Sequence, residues 1–163
     1  MSNQMVEQFV EQMKSEFEMS LVGELTYFLG LQVKQMEDTL FITQSKYAKG
    51  IVKKFVLENA GHKRTPAATH IKLTKDEKGT DVDPSLYRSM IGSLLYLTAS
   101  RPDITFAVGV CARYQAEPKT SHLIQVKRII KYISGTSDYG ILYSHNTNSV
   151  LTGYCDADWA GKC

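Results

Sequence analysis

Asp83-Pro-Ser-Leu-Tyr-Arg-Ser-Met-Ile-Gly-Ser-Leu-Leu-Tyr-Leu-Thr-Ala-Ser-Arg-Pro-Asp-Ile104 is the stretch on which the fold turns. Asp83 offers a side-chain cap, and Pro84 takes the first helical position, where its missing N–H does no harm. Tyr87, Met90, Ile91, Leu94 and Leu95 recur at helical spacing and predict an apolar face wide enough for a bundle. Arg101-Pro102 must end this helix, because the residue before a proline is pushed out of the α region. The chain restarts at Ser100 or Pro102 with Ile104, Ala107, Val108 and Cys111 on one stripe, so residues 99–103 form a tight corner between two helices. Thr120 or Ser121 caps a third helix, with Leu123, Val126, Ile130 and Ile133 inward and Gly135 at its end.

Upstream of this bundle, residues 61–82 lose apolar periodicity and gather Gly, Pro, Thr and Lys, which marks an extended crossing segment or linker. Before it, Thr43 or Ser45 caps a helix in which Tyr47, Ile51, Phe55 and Val56 face the core, Lys46, Lys49, Lys53 and Lys54 lie on the other side, and Asn59-Ala-Gly61 stops the run. Residues 25–33 and 40–43 are rich in β-formers and flank Glu37-Asp38, the pattern of a hairpin. Val6, Phe9, Val10, Met13 and Phe17 predict an amphipathic helix from about Gln4 to Glu18. Downstream, residues 139–143 and 150–155 look like a second hairpin around residues 145–148. A two-stranded hairpin alone is marginally stable, so this one reads as the start of a truncated sheet. The order predicts an α+β fold: hairpin plus helix, three-helix bundle, then a truncated β-hairpin.

The 163 residues carry 43% hydrophobic side chains and a net charge of +2, an ordinary globular balance that excludes disordered, collagen-like and disulfide-scaffold classes. Three cysteines, Cys111, Cys155 and Cys163, without a C-x-x-C pair point to a reducing compartment, cytoplasmic or nuclear. The acidic amino terminus is unlike a secretory leader, and no apolar run approaches the ~20 residues of a membrane helix. The near-neutral total hides two basic blocks. Residues 1–40 come to −5, 41–72 to +6, 73–103 to −1, 104–135 to +4 and 136–163 to −2. A basic stripe on a balanced domain is the footprint of a phosphate-backbone binder, although charge runs also serve simply to solvate a helix.

Catalytic signatures are sparse. Asp156-Ala-Asp158 follows the last expected strand, where carboxylates could hold a divalent metal or merely cap a turn. A two-metal site needs several carboxylates around ions ~3.5–4 Å apart, so this pair cannot complete one. Gly135 and Gly140 imitate half a phosphate loop, but Ile141-Leu142 stand where Lys-Ser/Thr is required. His62, His70, His122 and His145 lack metal-ligand spacing and read as surface or linker residues. Tyr27, Phe28, Tyr87, Tyr96 and Phe106 fall on apolar stripes and are expected in the core.

Several strings together carry a resemblance: residues 23–31 (GELTYFLGL), 44–48 (QSKYA), 87–97 (YRSMIGSLLYL), 101–104 (RPDI), 131–136 (KYISGT) and 153–161 (GYCDADWAG). In this order they resemble the Pol polyprotein of copia-type retrotransposons, especially plant ones, over essentially the whole chain. The resemblance implies the late part of a reverse transcriptase running into ribonuclease H. Residues 1–60 would be the end of the palm with a primer-grip-like hairpin and a first thumb-like helix, 61–82 a linker, 83–136 a helical thumb or connection bundle, and 137–163 the truncated start of a ribonuclease H-like domain. Phe28, Leu29 and Gly30 would place the primer end, and glycine suits a close backbone approach. Lys46, Lys49, Lys53 and Lys54 would track duplex phosphates, with Lys127, Arg128 and Lys131 as a second contact. Asp156 resembles the first ribonuclease H metal ligand, with Asp158 as a further candidate.

The family's polymerase motif Y-V-D-D does not occur in this chain and is expected upstream of Met1, with the remaining ribonuclease H acids beyond Cys163. The parent enzyme would use Mg²⁺, hold an RNA/DNA primer-template and work with the rest of Pol, without a membrane. The chain by itself is expected to be catalytically inactive and without a cofactor. A co-opted, non-enzymatic nucleic-acid- or protein-binding module is the alternative. A secreted effector-type interaction protein is a third reading, against which stand the missing leader and the missing R-x-L-R string.

Overall fold

In the computed structural model, which describes residues 3–19, 25–68 and 73–144, helices and strands follow the order α1 (Asn3–Glu16), β1 (Tyr27–Phe28), β2 (Leu31–Gln35), β3 (Thr39–Thr43), α2 (Ser45–Lys54), α3 (Pro84–Leu97), α4 (Pro102–Ala112), α5 (Thr120–Gly135) and β4 (Gly140–Ser144). The fold is mixed helix and sheet, as the α+β reading required.

The core belongs to the helices. Asp83 caps α3 by accepting the Ser85 N–H at 2.8 Å, with Pro84 in the first turn. Tyr87, Ile91, Leu94 and Leu97 of α3 are buried against Ile104 and Val108 of α4 and Val126, Ile130 and Ile133 of α5. Ala48, Ile51 and Val52 of α2 complete the same cluster. Each buried Leu or Ile contributes roughly 1.5–3 kcal/mol, so these residues dominate the stability of the chain. The Tyr87 hydroxyl, sealed in this core, donates to the Cys111 carbonyl at 2.8 Å and ties α3 to α4. Leu95 is exposed, contrary to expectation, because the buried stripe of α3 runs through residues 87, 90, 91, 94 and 97 and leaves it one position outside.

Two corrections concern α2. It ends at Lys54, and Val56 points into solvent, 84% exposed. Val56 has φ 55°, and its N–H donates to the Lys53 carbonyl while the Leu57 N–H reaches back to Val52. This is a Schellman ending with valine at the left-handed position that glycine usually fills. Leu57, one residue on, turns inward in its place.

The sheet also departs from the hairpin reading. Residues 25–33 do not form one strand: Leu29 (φ 48°) and Gly30 (φ 82°) make a two-residue reversal, pairing Phe28 with Leu31. Both central residues lie at positive φ, as a type I′ turn requires. Residues 139–143 were expected to pair with residues 150–155. One edge of β4 lies antiparallel to β3, with Leu40 opposite Tyr143 and Ile42 opposite Ile141, a pairing the sequence did not predict, while residues 150–155 lie outside the described residues. The result is one antiparallel sheet of order β1-β2-β3-β4, in which no strand residue is fully buried.

The crossing segment is stitched to the bundle. Tyr114 donates to the Leu73 carbonyl at 2.9 Å, Thr120 N–H to Thr80 at 2.9 Å, and Val82 N–H to Pro118 at 3.0 Å. The cap of α5 is Lys119 rather than Thr120 or Ser121: its N–H donates to Nδ1 of His122 at 3.0 Å. His122 is thus a core residue and not a surface histidine. Its ring stacks on Tyr114 at 4.0 Å, and its Nε2 lies 2.7 Å from the Thr74 carbonyl, to which it donates in the neutral tautomer that this cap selects.

Candidate nucleic-acid interface

The β1–β2 turn is held from the side. Tyr96 of α3 donates its hydroxyl to the Leu29 carbonyl at 2.8 Å and packs edge-on against Tyr47 of α2 at 4.8 Å. A Cβ on Gly30 would overlap that hydroxyl, so glycine is required both by its φ and by the space. A leucine in the left-handed region costs roughly 1–2 kcal/mol, which the Tyr96 bond helps to offset. Leu29 is 78% exposed and Phe28 is also exposed, so the turn presents an apolar tip on a fixed backbone. Gln44, buried at the start of α2, donates to the Tyr96 carbonyl and accepts the Ser100 hydroxyl at 2.8 Å, which locks the strand-to-helix junction onto the end of α3.

Lys46, Lys49, Lys53 and Lys54 occupy the exposed side of α2 at i, i+3, i+7 and i+8, while Ala48, Ile51 and Val52 fill the other side. Lys49 pairs with Asp138 at 3.0 Å, both being well exposed, and Lys54 donates to Ser89 at 3.0 Å while lying over the Phe55 ring. Lys46 and Lys53 meet no carboxylate among the described residues. On α5, Lys127 is exposed, Arg128 donates to the Thr65 hydroxyl at 2.9 Å, and the Lys131 carbonyl accepts the Lys63 N–H. The helices carrying both groups pack against each other. Asp156 and Asp158 lie outside the described residues.

Residues 1–69 match the family described as reverse transcriptase (RNA-dependent DNA polymerase). The chain is 36% identical over 138 residues to the retrovirus-related Pol polyprotein from transposon RE2 of Arabidopsis thaliana, covering 85% of this chain and 10% of that protein. It is 33% identical over 159 residues to the corresponding polyprotein from transposon TNT 1-94 of Nicotiana tabacum, covering 91% of this chain and 12% of that one. The chain belongs to the copia-type Pol polyprotein family. An uncharacterized mitochondrial protein of Arabidopsis thaliana is also similar, 35% identical over 164 residues, which are 98% of this chain and 66% of that protein. This copia-type chain therefore spans about a tenth of the transposon polyproteins it matches. No solved structure matches it.

One cluster of this copia-type chain is not predicted by its sequence, in which Arg101 marks a helix break and part of a family string but no buried ion pair. Arg101 is fully buried and donates to both carboxylate oxygens of Asp103 at 2.8 Å and to the carbonyl and hydroxyl of Thr136 at 2.8 Å. Tyr132 donates to Asp103 at 2.8 Å, and the guanidinium lies over the rings of Tyr132 and Tyr139 at 5.5 and 5.4 Å. Burial alone would lower the pKa of Arg101, but the Asp103 carboxylate reverses this and raises it. Burial would likewise raise Asp103, but the hydrogen bonds from Arg101 and Tyr132 outweigh it and hold the carboxyl below its usual range. The cluster fastens the α3–α4 corner to the end of α5 and to the entry of β4. The signal in the sequence was a lone arginine with an aspartate two residues on, inside an otherwise uncharged run.

The aromatic residues need a further correction. Only Tyr87 of the five expected in the core is there; Tyr27, Phe28 and Tyr96 are exposed, and Phe106 is 80% exposed. Cys111 is a buried thiol whose pKa is pushed up to about 11 by burial. Among the described residues no three His, Cys, Asp or Glu side chains converge where a metal ion could sit. These residues do not fit the Mg²⁺ that the family implies, and no catalytic step is assigned to them. No described helix is long and apolar enough to cross a membrane.

Proposed function

We propose that this chain supplies nucleic-acid-holding surface to a copia-type Pol, gripping primer-template duplex rather than performing the chemistry. One observation carries the reading: four lysines share the exposed side of α2, whose other side is locked into the helical core. Held charges at successive helical turns suit a phosphate backbone, because ordering them in advance lowers the entropy lost on binding. Lys127, Arg128 and Lys131 form the second contact, and the Phe28-Leu29-Gly30 turn meets the primer end. The division into a palm end (1–60), a linker (61–82), a helical bundle (83–136) and the start of a ribonuclease H-like unit (137–163) belongs to this proposal. Asp156, with Asp158 as a second candidate, would be a metal ligand of that unit, with Mg²⁺ serving the intact parent enzyme.

Reversing Lys53, Lys54, Lys127 and Lys131 to Glu should abolish duplex binding while thermal unfolding stays near wild type. Binding unaffected by these reversals would remove the phosphate-contact reading. The purified 163-residue chain should add no nucleotide to a primed template; incorporation would overturn the inactive reading. A stand-alone binding module is the second reading, favoured by the Arabidopsis mitochondrial protein, of which the chain covers 66%. Retention of duplex binding by the isolated chain suits either reading, whereas activation on adding the missing Pol regions in trans would favour the first.

A further inference from the structure

One face of the sheet carries side chains that neither the core nor the lysine stripe uses. Directly opposed residues of antiparallel strands project to the same side. The register sets Tyr27 beside Gln32 and Thr43, and Lys34 beside Phe41, on one side of the sheet. These five side chains line an open cavity of about 410 Å³, with Asp138 at its margin. That volume lies within the ~300–1,000 Å³ of ordinary ligand sites.

The lining is built rather than incidental. The Phe41 ring leans across Gly140, where an added Cβ would stand 3.0 Å from its Cζ and would overlap the Ile42 carbonyl. Gln32 accepts the Ser45 hydroxyl at 2.9 Å and the Lys46 N–H at 3.0 Å on its Oε1, which leaves its amide NH₂ without a partner among the described residues. The single carboxylate, Asp138, is paired with Lys49. The cavity thus combines two aromatic rings, a lysine, an available amide donor and an opening beside the first turn of the lysine-bearing helix.

We infer that this sheet face stacks an unpaired nucleobase of the bound nucleic acid, with Tyr27 and Phe41 as the platform and Lys34 toward the phosphate. The inference rests on the nucleic-acid reading above and names the part of the ligand that this face takes. Aromatic rings stack any base, since every base offers a π-face, whereas duplex interiors offer none. The lysine stripe of α2 then holds the paired region while the sheet holds the strand end.

The test titrates the full chain with three probes at one salt concentration: a blunt duplex, the same duplex with an overhang containing 2-aminopurine, and the same with an abasic overhang. The overhang should bind about tenfold tighter than the other two, with quenched 2-aminopurine fluorescence. Tyr27→Leu with Phe41→Leu should remove the preference and the quenching while leaving blunt-duplex affinity unchanged. Tyr27→Leu alone, at a half-exposed position, should give a smaller loss of both and is the control should the double variant unfold. Equal binding of all three probes overturns the stacking platform and leaves the lysine grip standing. Tight, quenched binding of the overhang without any blunt-duplex binding does the reverse. Binding of none removes both. A dimer dissolved by the ring replacements, with oligonucleotide binding unmoved, would make this face a contact between copies and end the proposal.

Discussion

The helical bundle and the sheet solve opposite problems with adjoining pieces of chain. In the bundle, Tyr87, Ile91, Leu94, Leu97, Ile104, Val108, Val126 and Ile130 leave no surface to solvent. In the sheet, residues as apolar as Leu40, Phe41, Ile42 and Ile141 are only half-buried, and Leu142 and Tyr143 are exposed. The bundle carries the stability, and the sheet hangs from it by a few long-range hydrogen bonds: Tyr96 to Leu29, Gln44 to Tyr96 and Ser100, and Ser45 and Lys46 of α2 to Gln32. On the function proposed above, the open sheet and the lysine-bearing helix attached to this bundle are the surfaces that would meet the nucleic acid.

The contrast can be broken most directly by paired truncations. Leu94→Ala should destabilise by about 3–4 kcal/mol, because the buried site leaves a cavity. Leu142→Ala on the sheet should change stability by less than about 0.5 kcal/mol, as exposed substitutions do. Urea denaturation of both variants decides this, and comparable losses would mean that the sheet is as well packed as the bundle.

Arg101 sharpens the same comparison at the joint between the two regions. Arg101→Ala strands Asp103 and the Thr136 carbonyl, and should cost about 2–3 kcal/mol, below the full value of a broken buried pair because Asp103 is partly exposed. The exposed Lys49–Asp138 pair should yield less than about 1 kcal/mol on Lys49→Ala. The depressed pKa of Asp103 sets the pH dependence. Its contribution is present above the ordinary carboxylate value of about 4 and is lost as pH falls through the lower folded-state value. Asp103→Asn should flatten this acid limb in a pH series of thermal melts; an unchanged limb would assign the acid sensitivity to other groups.

The smallest effect concerns the ending of α2. Val56→Gly should stabilise by about 0.5–1 kcal/mol, the relief of a left-handed β-branched residue less the extra entropy of glycine in the unfolded chain. A loss of stability would mean that the valine side chain contributes something that its exposure conceals.

These residues also show where sequence reasoning reaches and where it stops. The three bundle helices were legible because Tyr87, Ile104 and Leu123 begin apolar stripes at 3.6-residue spacing, and because Pro84 and Pro102 act locally. The exposed side of α2 was legible for the same reason. The Leu29-Gly30 turn was not, since leucine gives no local sign of a left-handed backbone; only the distant Tyr96 hydroxyl makes it affordable. Nor was the pairing of β4 with β3 legible, because Leu40 and Tyr143 meet across a whole helical bundle. Tyr27 and Phe28 sit on an apolar stripe that the fold leaves uncovered, so periodicity alone misplaced them in the core. His122 looked like a linker residue because its partners, Thr74 and Tyr114, come from two other segments.

Salt dependence of duplex binding tests the central claim most directly. The wild-type chain should lose affinity linearly in log salt, and Lys53→Glu with Lys54→Glu should reduce the slope by about 2, one for each phosphate contact removed, with the thermal midpoint unchanged. A slope that is flat in the wild type, or identical in the variant, would contradict the account.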